Sequence, residues 1–255
     1  MKDLFYISEI YSAIQGEGPL VGVKQIFVRL SACDLRCQWC DTPDSLIKTK
    51  YCSVEDKAGS RKFENIQNPV TSAQINSFIS KLSPNLHHSI SFTGGEPLLQ
   101  SEALFFALPE IKEEFRLPLY LETGGHRPDK LKEVISFFDY VSMDFKSPSS
   151  SKTKSLWDKH SKFLSICLGS DSLKSVWVKI VVTSMTLLDE LIFSVNLVKS
   201  IAAGKLVEIF IQPVSRINFL EPPTPEKMLQ IQSTLLEIYP YIRVVPQVHK
   251  LIGQR

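Results

Sequence analysis

Apolar positions along this chain follow two rhythms. Short, nearly unbroken runs rich in β-branched and aromatic residues occupy 25–30, 89–93, 117–122, 140–145, 176–182, 207–211 and 242–245. Such continuity predicts strands covered on both faces, because a strand with one wet face alternates. Between them, apolar residues at helical spacing predict helices over 71–82, 101–115, 128–138, 155–168, 187–203 and 225–238. Thr71 or Ser72 can cap the first, Gly204 closes the fifth, and Pro225 opens the last. Strand–helix alternation of this kind predicts an α/β fold with a parallel sheet under helices. Six or seven strands fall short of a closed eight-stranded barrel. The expectation is therefore an open, partial TIM-like βα barrel with about six parallel core strands.

The polar and glycine-containing signals cluster where strands end, at Cys33, Thr93–Pro97, Glu122–Gly124, Asp144–Lys146 and Gln212. In barrel folds that edge carries the chemistry. Two stretches stand apart. Residues 5–18 join an apolar segment to a turn flanked by Gly16 and Gly18, and 43–70 is polar, with Lys48, Lys50, Lys57, Arg61 and Lys62 among few apolar positions. The second reads as a surface insertion, a small hairpin or a lid, within one domain spanning 1–255.

Composition narrows the class. With 44% hydrophobic and 22% charged residues the chain can build a full core. A net charge of +2 gives no footing for nucleic acid or an anionic membrane. The first ten residues carry Lys2, Asp3 and Glu9 and no long apolar run, and no segment approaches the roughly 18 apolar residues that span a bilayer. Three of the five cysteines fall in one loop, which fits a reducing cytoplasm better than a disulfide framework.

That loop, Cys33-Asp34-Leu35-Arg36-Cys37-Gln38-Trp39-Cys40, directly follows the 25–30 strand. Thiolates are soft ligands for iron–sulfur clusters, zinc or copper. Zinc would want a fourth ligand, yet Cys52, His87 and His88 sit at no usual finger spacing. Three thiolates can hold three irons of a cubane and leave the fourth open, whereas ferredoxin clusters take four cysteines. Cys52 and Cys167 read as ordinary thiols, the latter inside an apolar helix. Arg29 would lie near the end of a buried strand, so it must meet a carboxylate or await an anionic ligand. Thr93-Gly94-Gly95-Glu96-Pro97 exposes backbone groups and offers Glu96 as an acceptor for an ammonium group.

C-x3-C-x2-C followed by Gly-Gly-Glu resembles the radical S-adenosylmethionine (SAM) enzymes. Ile14-Gln15-Gly16-Glu17-Gly18, Phe27-Val28-Arg29-Leu30, Cys37-Gln38-Trp39-Cys40-Asp41-Thr42 and Gln247-Val248-His249-Lys250 are similar to the 7-carboxy-7-deazaguanine synthases among them. The resemblance implies a [4Fe-4S] cluster on Cys33, Cys37 and Cys40, whose open iron chelates SAM and whose electron cleaves it to a 5'-deoxyadenosyl radical. It implies conversion of 6-carboxy-5,6,7,8-tetrahydropterin to 7-carboxy-7-deazaguanine with loss of ammonia, SAM being regenerated. Magnesium would be held by Thr42 and the substrate carboxylate. The pterin would meet Ile14, Gln15, Gly16, Glu17, Arg29 and Thr93. SAM would meet Gly94, Gly95, Glu96, Asp144, Phe145, Lys146, Gln212, Pro213, Val214 and Ser215. A homodimer and a flavodoxin- or ferredoxin-type electron donor are implied as well.

The sequence departs from the family pattern at Ala32 and Asp34, where glycine and asparagine are usual, and at Met143–Lys146, where Ser-Pro-Lys is. Two other readings compete. An activase of glycyl-radical enzymes would use the same cluster loop on a protein substrate, but leaves Gln15–Gly18 and Arg29 unexplained. A non-catalytic electron-transfer protein would want a fourth thiolate and no Gly-Gly-Glu. His126, lone after a strand, reads as structural.

Overall fold

The computed structural model describes residues 3–216 and 219–255, so Lys2 lies outside it. Strands β1 (Leu4–Phe5), β2 (Ile7–Ile14), β3 (Lys24–Leu30), β4 (Tyr51–Glu55), β5 (Phe63–Gln67) and β6 (Val70–Thr71) come first. Helix α1 (Ser72–Lys81) starts at a capping box, in which Thr71 and Gln74 satisfy each other's backbone N–H. The chain then alternates through β7 (Ser89–Gly94), α2 (Ser101–Phe115), β8 (Leu119–Thr123), α3 (Pro128–Val134) and β9 (Tyr140–Asp144). It continues through α4 (Pro148–Ser151), α5 (Trp157–Leu168), β10 (Ser175–Val182), α6 (Leu188–Ala202), β11 (Glu208–Pro213), α7 (Pro225–Ile238), β12 (Ile242–Val244) and α8 (Val248–Leu251).

The main sheet runs β12-β11-β10-β9-β8-β7-β3-β2-β4-β5, parallel from β12 to β3. This is the expected α/β architecture: six parallel strands from β3 to β11 and a three-residue β12, unclosed by any ladder between the end strands. Helices cover one face, and Ile26, Val28, Ile90, Phe92, Leu119, Leu121, Val141 and Val178 form the core beneath them.

Two details differ from the sequence expectations. Residues 43–70 extend the sheet: β4 runs parallel to β2, and β5 turns back antiparallel on β4. Inside this segment Cys52 and Val54 pack into the core, while β5 leaves Glu64, Asn65 and Gln67 exposed and so shows no apolar run. Helix α6 is capped by Ala203 in the left-handed region (φ +47°), one residue before Gly204.

Candidate functional site

Parallel register brings the two motif loops together. Leu30 of β3 pairs with Gly94 of β7, so the cysteine loop and the Gly-Gly-Glu loop leave adjacent strands at one height. Gly95 N–H donates to Leu30 O and Glu96 N–H to Ala32 O, both at 2.9 Å. A side chain at Gly95 would come within 2.1 Å of Ala32 O, which makes glycine obligatory there. Ala32 itself sits at φ +78°, a conformation that favours the glycine usual in the family.

Around these loops lies a cavity of about 250 Å³. Cys33, Cys37 and Cys40, each half-buried, face it with Thr42, Gly94, Gly95 and Glu96. Leu35 N–H lies 3.4 Å from Cys33 Sγ, and the Thr42 hydroxyl is 4.0 Å from Cys40 Sγ. Burial pushes the Cys33 thiol up to about 11 and also raises Cys37. Cys52 and Cys167 are packed into the core and do not line the cavity. The donor set is thus three soft sulfurs without a fourth, which fits a cluster with one open iron.

Glu122 is half-buried on the cavity wall with both of its oxygens engaged. Gln15 Nε2 (2.9 Å) and Ser91 Oγ (3.2 Å) donate to Oε1, and Thr93 Oγ1 (3.1 Å) to Oε2. Gln15 is held in turn by Gln25, and Gln25 by Ser89. Burial, reinforced by the negative charge of Glu17, raises the Glu122 pKa above the usual carboxylate range. Arg29 donates to the Tyr11 hydroxyl and stands 3.4 Å from Glu9. Desolvation works against its charge, but Tyr11 and Glu9 keep it firmly protonated. It has therefore found a carboxylate and still faces the cavity.

The neighbouring wall, on β9 and β10, is ionic. Asp144 and Lys179 are registered partners on β9 and β10, so their side chains share a face. Lys146 Nζ lies 2.8 Å from Asp144 and 4.2 Å above the Trp39 ring. Asp144 Oδ1 has no hydrogen-bond partner among the described residues, which leaves a buried acceptor free for a ligand donor. Lys179 Nζ reaches Glu17 Oε2 at 2.6 Å and Asp144 Oδ2 at 3.4 Å. Burial alone would raise the Glu17 pKa; Lys179 and the donors around it overcome this and hold it at about 2. Glu96 is braced by Thr123 Oγ1, Leu98 N–H and Gly124 N–H.

Most of the residues expected at the site do line this cavity: Ile14, Gln15, Gly16, Glu17, Arg29, Thr93, Gly94, Gly95, Glu96, Asp144, Lys146, Gln212 and Val214, with the three cysteines and Thr42. Phe145, Pro213 and Ser215 do not. Successive residues leaving a strand point to opposite sides, so 144 and 146 face inward while Phe145 packs against His160 with rings 4.3 Å apart. The same alternation turns Gln212 and Val214 inward and Pro213 away; Ser215 donates to Gln247 instead. Lys179, Glu122, Gln247 and His249 line the cavity without having been picked out as site residues. For Lys179 the signal was present: one charge inside an apolar strand, the argument that singled out Arg29. His126 Nε2 pairs with Asp34 of the cysteine loop at 2.8 Å, while its Nδ1, without a hydrogen-bond partner among the described residues, stands 3.6 Å from the Glu96 side chain.

An open parallel barrel with three cysteines on the loop after its first parallel strand defines a radical SAM protein, and residues 28–175 match the model of the Radical SAM superfamily. The chain is 35% identical to 7-carboxy-7-deazaguanine synthase of Geobacter sulfurreducens and 32% identical to that of Archaeoglobus fulgidus, covering 97% of both chains in each case. The chain belongs to the 7-carboxy-7-deazaguanine synthases. Its fold is like that of QueE from Escherichia coli, at a TM-score of 0.60 and 18% identity over 96% of this chain and 94% of that one. Membership makes this an enzyme with a small-molecule substrate that uses a [4Fe-4S] cluster, SAM and magnesium. The activase alternative is not favoured. No helix among the described residues is long and apolar enough to cross a membrane.

Proposed function

We propose that this chain converts 6-carboxy-5,6,7,8-tetrahydropterin to 7-carboxy-7-deazaguanine with loss of ammonia, acting in the cytoplasm as a homodimer served by a flavodoxin- or ferredoxin-type electron donor. One observation carries the substrate reading: Glu122 is a half-buried carboxylate on the cavity wall, oriented by Gln15, Ser91 and Thr93. The pyrimidine edge of a pterin presents an N–H and an amino group side by side, two donors for two carboxylate oxygens.

When bound, the cluster and SAM supply an electron and a 5'-deoxyadenosyl radical that removes a hydrogen atom from the substrate. The chain's own residues bind and orient. Cys33, Cys37 and Cys40 hold three irons. Gly94, Gly95 and Glu96 receive the amino end of SAM, while Asp144, Lys146, Gln212 and Val214 form the wall along it. Arg29 answers the anionic carboxylate of the pterin, and Ile14, Gln15, Gly16 and Glu17 close over the ring. The Thr42 hydroxyl is a hard oxygen donor suited to magnesium, with the substrate carboxylate as a second ligand.

The test is anaerobic reconstitution followed by SAM, reductant, magnesium and 6-carboxytetrahydropterin, with product identified by mass spectrometry. Product is expected, is abolished in Cys37→Ala, and falls about 100-fold in Arg29→Ala, the scale of a lost charge-assisted contact. Cleavage of SAM with the pterin untouched would remove the substrate assignment and bring the activase reading forward.

A further inference from the structure

Lys179 is the one ionisable side chain in β10, among the buried neighbours Trp177, Val178, Ile180 and Val181. Its own exposure is only 13% at the side chain, and desolvation of an ammonium is expensive unless carboxylates repay it. Two do so. Glu17 belongs to the turn that closes over the pterin, and Asp144 to the wall along SAM; a single ammonium holds both, at 2.6 and 3.4 Å.

The linkage extends in each direction. Beyond Asp144 stand Lys146 and the Trp39 ring of the cysteine loop. Beyond Glu17, the second carboxylate oxygen accepts from Gln212 Nε2 and Gln247 Nε2, each at 3.0 Å. Gln247 Nε2 also donates to Asp41 Oδ2 at 2.7 Å, next to Thr42. Charges this close in a weakly polar interior interact strongly. A ligand that draws on Asp144 therefore changes the hold of Lys179 on Glu17, and the reverse.

We propose that Lys179 is a positioning residue that couples the binding of SAM to the binding of the pterin by holding Asp144 and Glu17 on one ammonium. The inference rests on the assignment above of which wall takes which ligand. Its chemical purpose is register. Hydrogen transfer needs the donor carbon of the substrate and the 5' carbon of SAM held close, and a misplacement of about 1 Å can cost on the order of 100-fold in rate.

Coupling is a measurable free energy and must be reciprocal. With the cluster loaded and kept oxidised, no turnover occurs and equilibrium affinities can be read by calorimetry. In the wild-type protein, saturating 6-carboxytetrahydropterin is expected to tighten SAM about tenfold, and SAM to tighten the pterin by the same factor. In Lys179→Met that factor should drop below about twofold, and under turnover 5'-deoxyadenosine should be released in excess of product; Lys179→Arg should restore much of both. Lys179→Gln guards against a folding defect, since its amide still donates to Glu17 without the charge, and it should behave as Lys179→Met. A neutral variant with wild-type coupling overturns the proposal, as does a wild-type protein with no coupling. Product formation by the wild type is scored separately, so failure of the substrate reading and failure of this inference remain distinct.

Discussion

Glu17 and Glu122 line the same cavity and are driven in opposite directions. Both lose water on folding. Glu17 gains the Lys179 ammonium at 2.6 Å and is held at about 2; Glu122 takes its hydrogen bonds from the neutral Gln15, Ser91 and Thr93, and burial together with the charge of Glu17 outweighs the more distant Lys179 and Arg29, so its pKa rises. One wall is balanced internally and the other is not. A carboxylate already matched by a cation is oriented by the protein and meets the pterin as part of a turn held in place, whereas one surrounded by hydroxyls and an amide gains most when a ligand brings further donors. The difference separates a structural anion from a recognition anion within one pocket.

Removing the internal balance should have the largest effect. Glu17→Gln leaves the Lys179 ammonium with Asp144 as its one ion-pair contact, and a loss of about 3 kcal/mol is expected from breaking a largely buried pair, read as a lowered urea midpoint. Glu122→Gln should weaken pterin binding about 10- to 100-fold, because the amide puts an NH2 donor where one of two side-by-side acceptor oxygens stood, while stability holds steady. If Glu122→Gln unfolds the protein and Glu17→Gln does not, the two roles have been assigned the wrong way round.

Acid titration sharpens the contrast. The Glu17 pKa is lowered, so its contribution is complete above the ordinary value of 4.5 and is lost as pH falls toward about 2. Glu122 has a raised pKa, so its contribution is present at acid pH and is lost as pH rises through the raised value. Denaturation midpoints between pH 5 and pH 3 should therefore fall less steeply in Glu17→Gln than in the parent. Ala32→Gly touches neither carboxylate and serves as the small-effect control. It relieves a left-handed backbone and should add about 1 kcal/mol without altering either behaviour.

The legibility of the molecule in its sequence follows how each part is stabilised. Parallel strands buried on both faces are written as unbroken apolar runs, so β3 and β7 to β12 could be read directly. A hairpin is among the forms the 43–70 segment suggests, but its strands β4 and β5 and their place in the main sheet are not legible, because β5 pairs through its backbone while exposing polar side chains. The cysteine and glycine loops were legible because their chemistry tolerates few substitutes. Phe145 and Pro213 lie beside good motif residues, but strand alternation turns their side chains away from the cavity. The sequence marks Glu122 at a strand end without a role and does not mark Lys179, because their roles come from partners about 30 to 160 residues away, Ser91 and Thr93 for one and Glu17 for the other.

The gap between β12 and β5 has a mechanical consequence. Hydrogen-bonded strands keep a spacing near 4.8 Å, so the ladder resists stretching around the cavity. No ladder joins the two end strands, and the chain from Gln247 to Arg255 crosses between them. Val248 N–H donates to Gly16 O, Arg61 reaches Gly253 O, and the Arg255 guanidinium lies 4.1 Å over the Phe63 ring. A perimeter built this way has one compliant link in an otherwise stiff hoop, so changes of girth during a reaction concentrate at the arginine-fastened clasp.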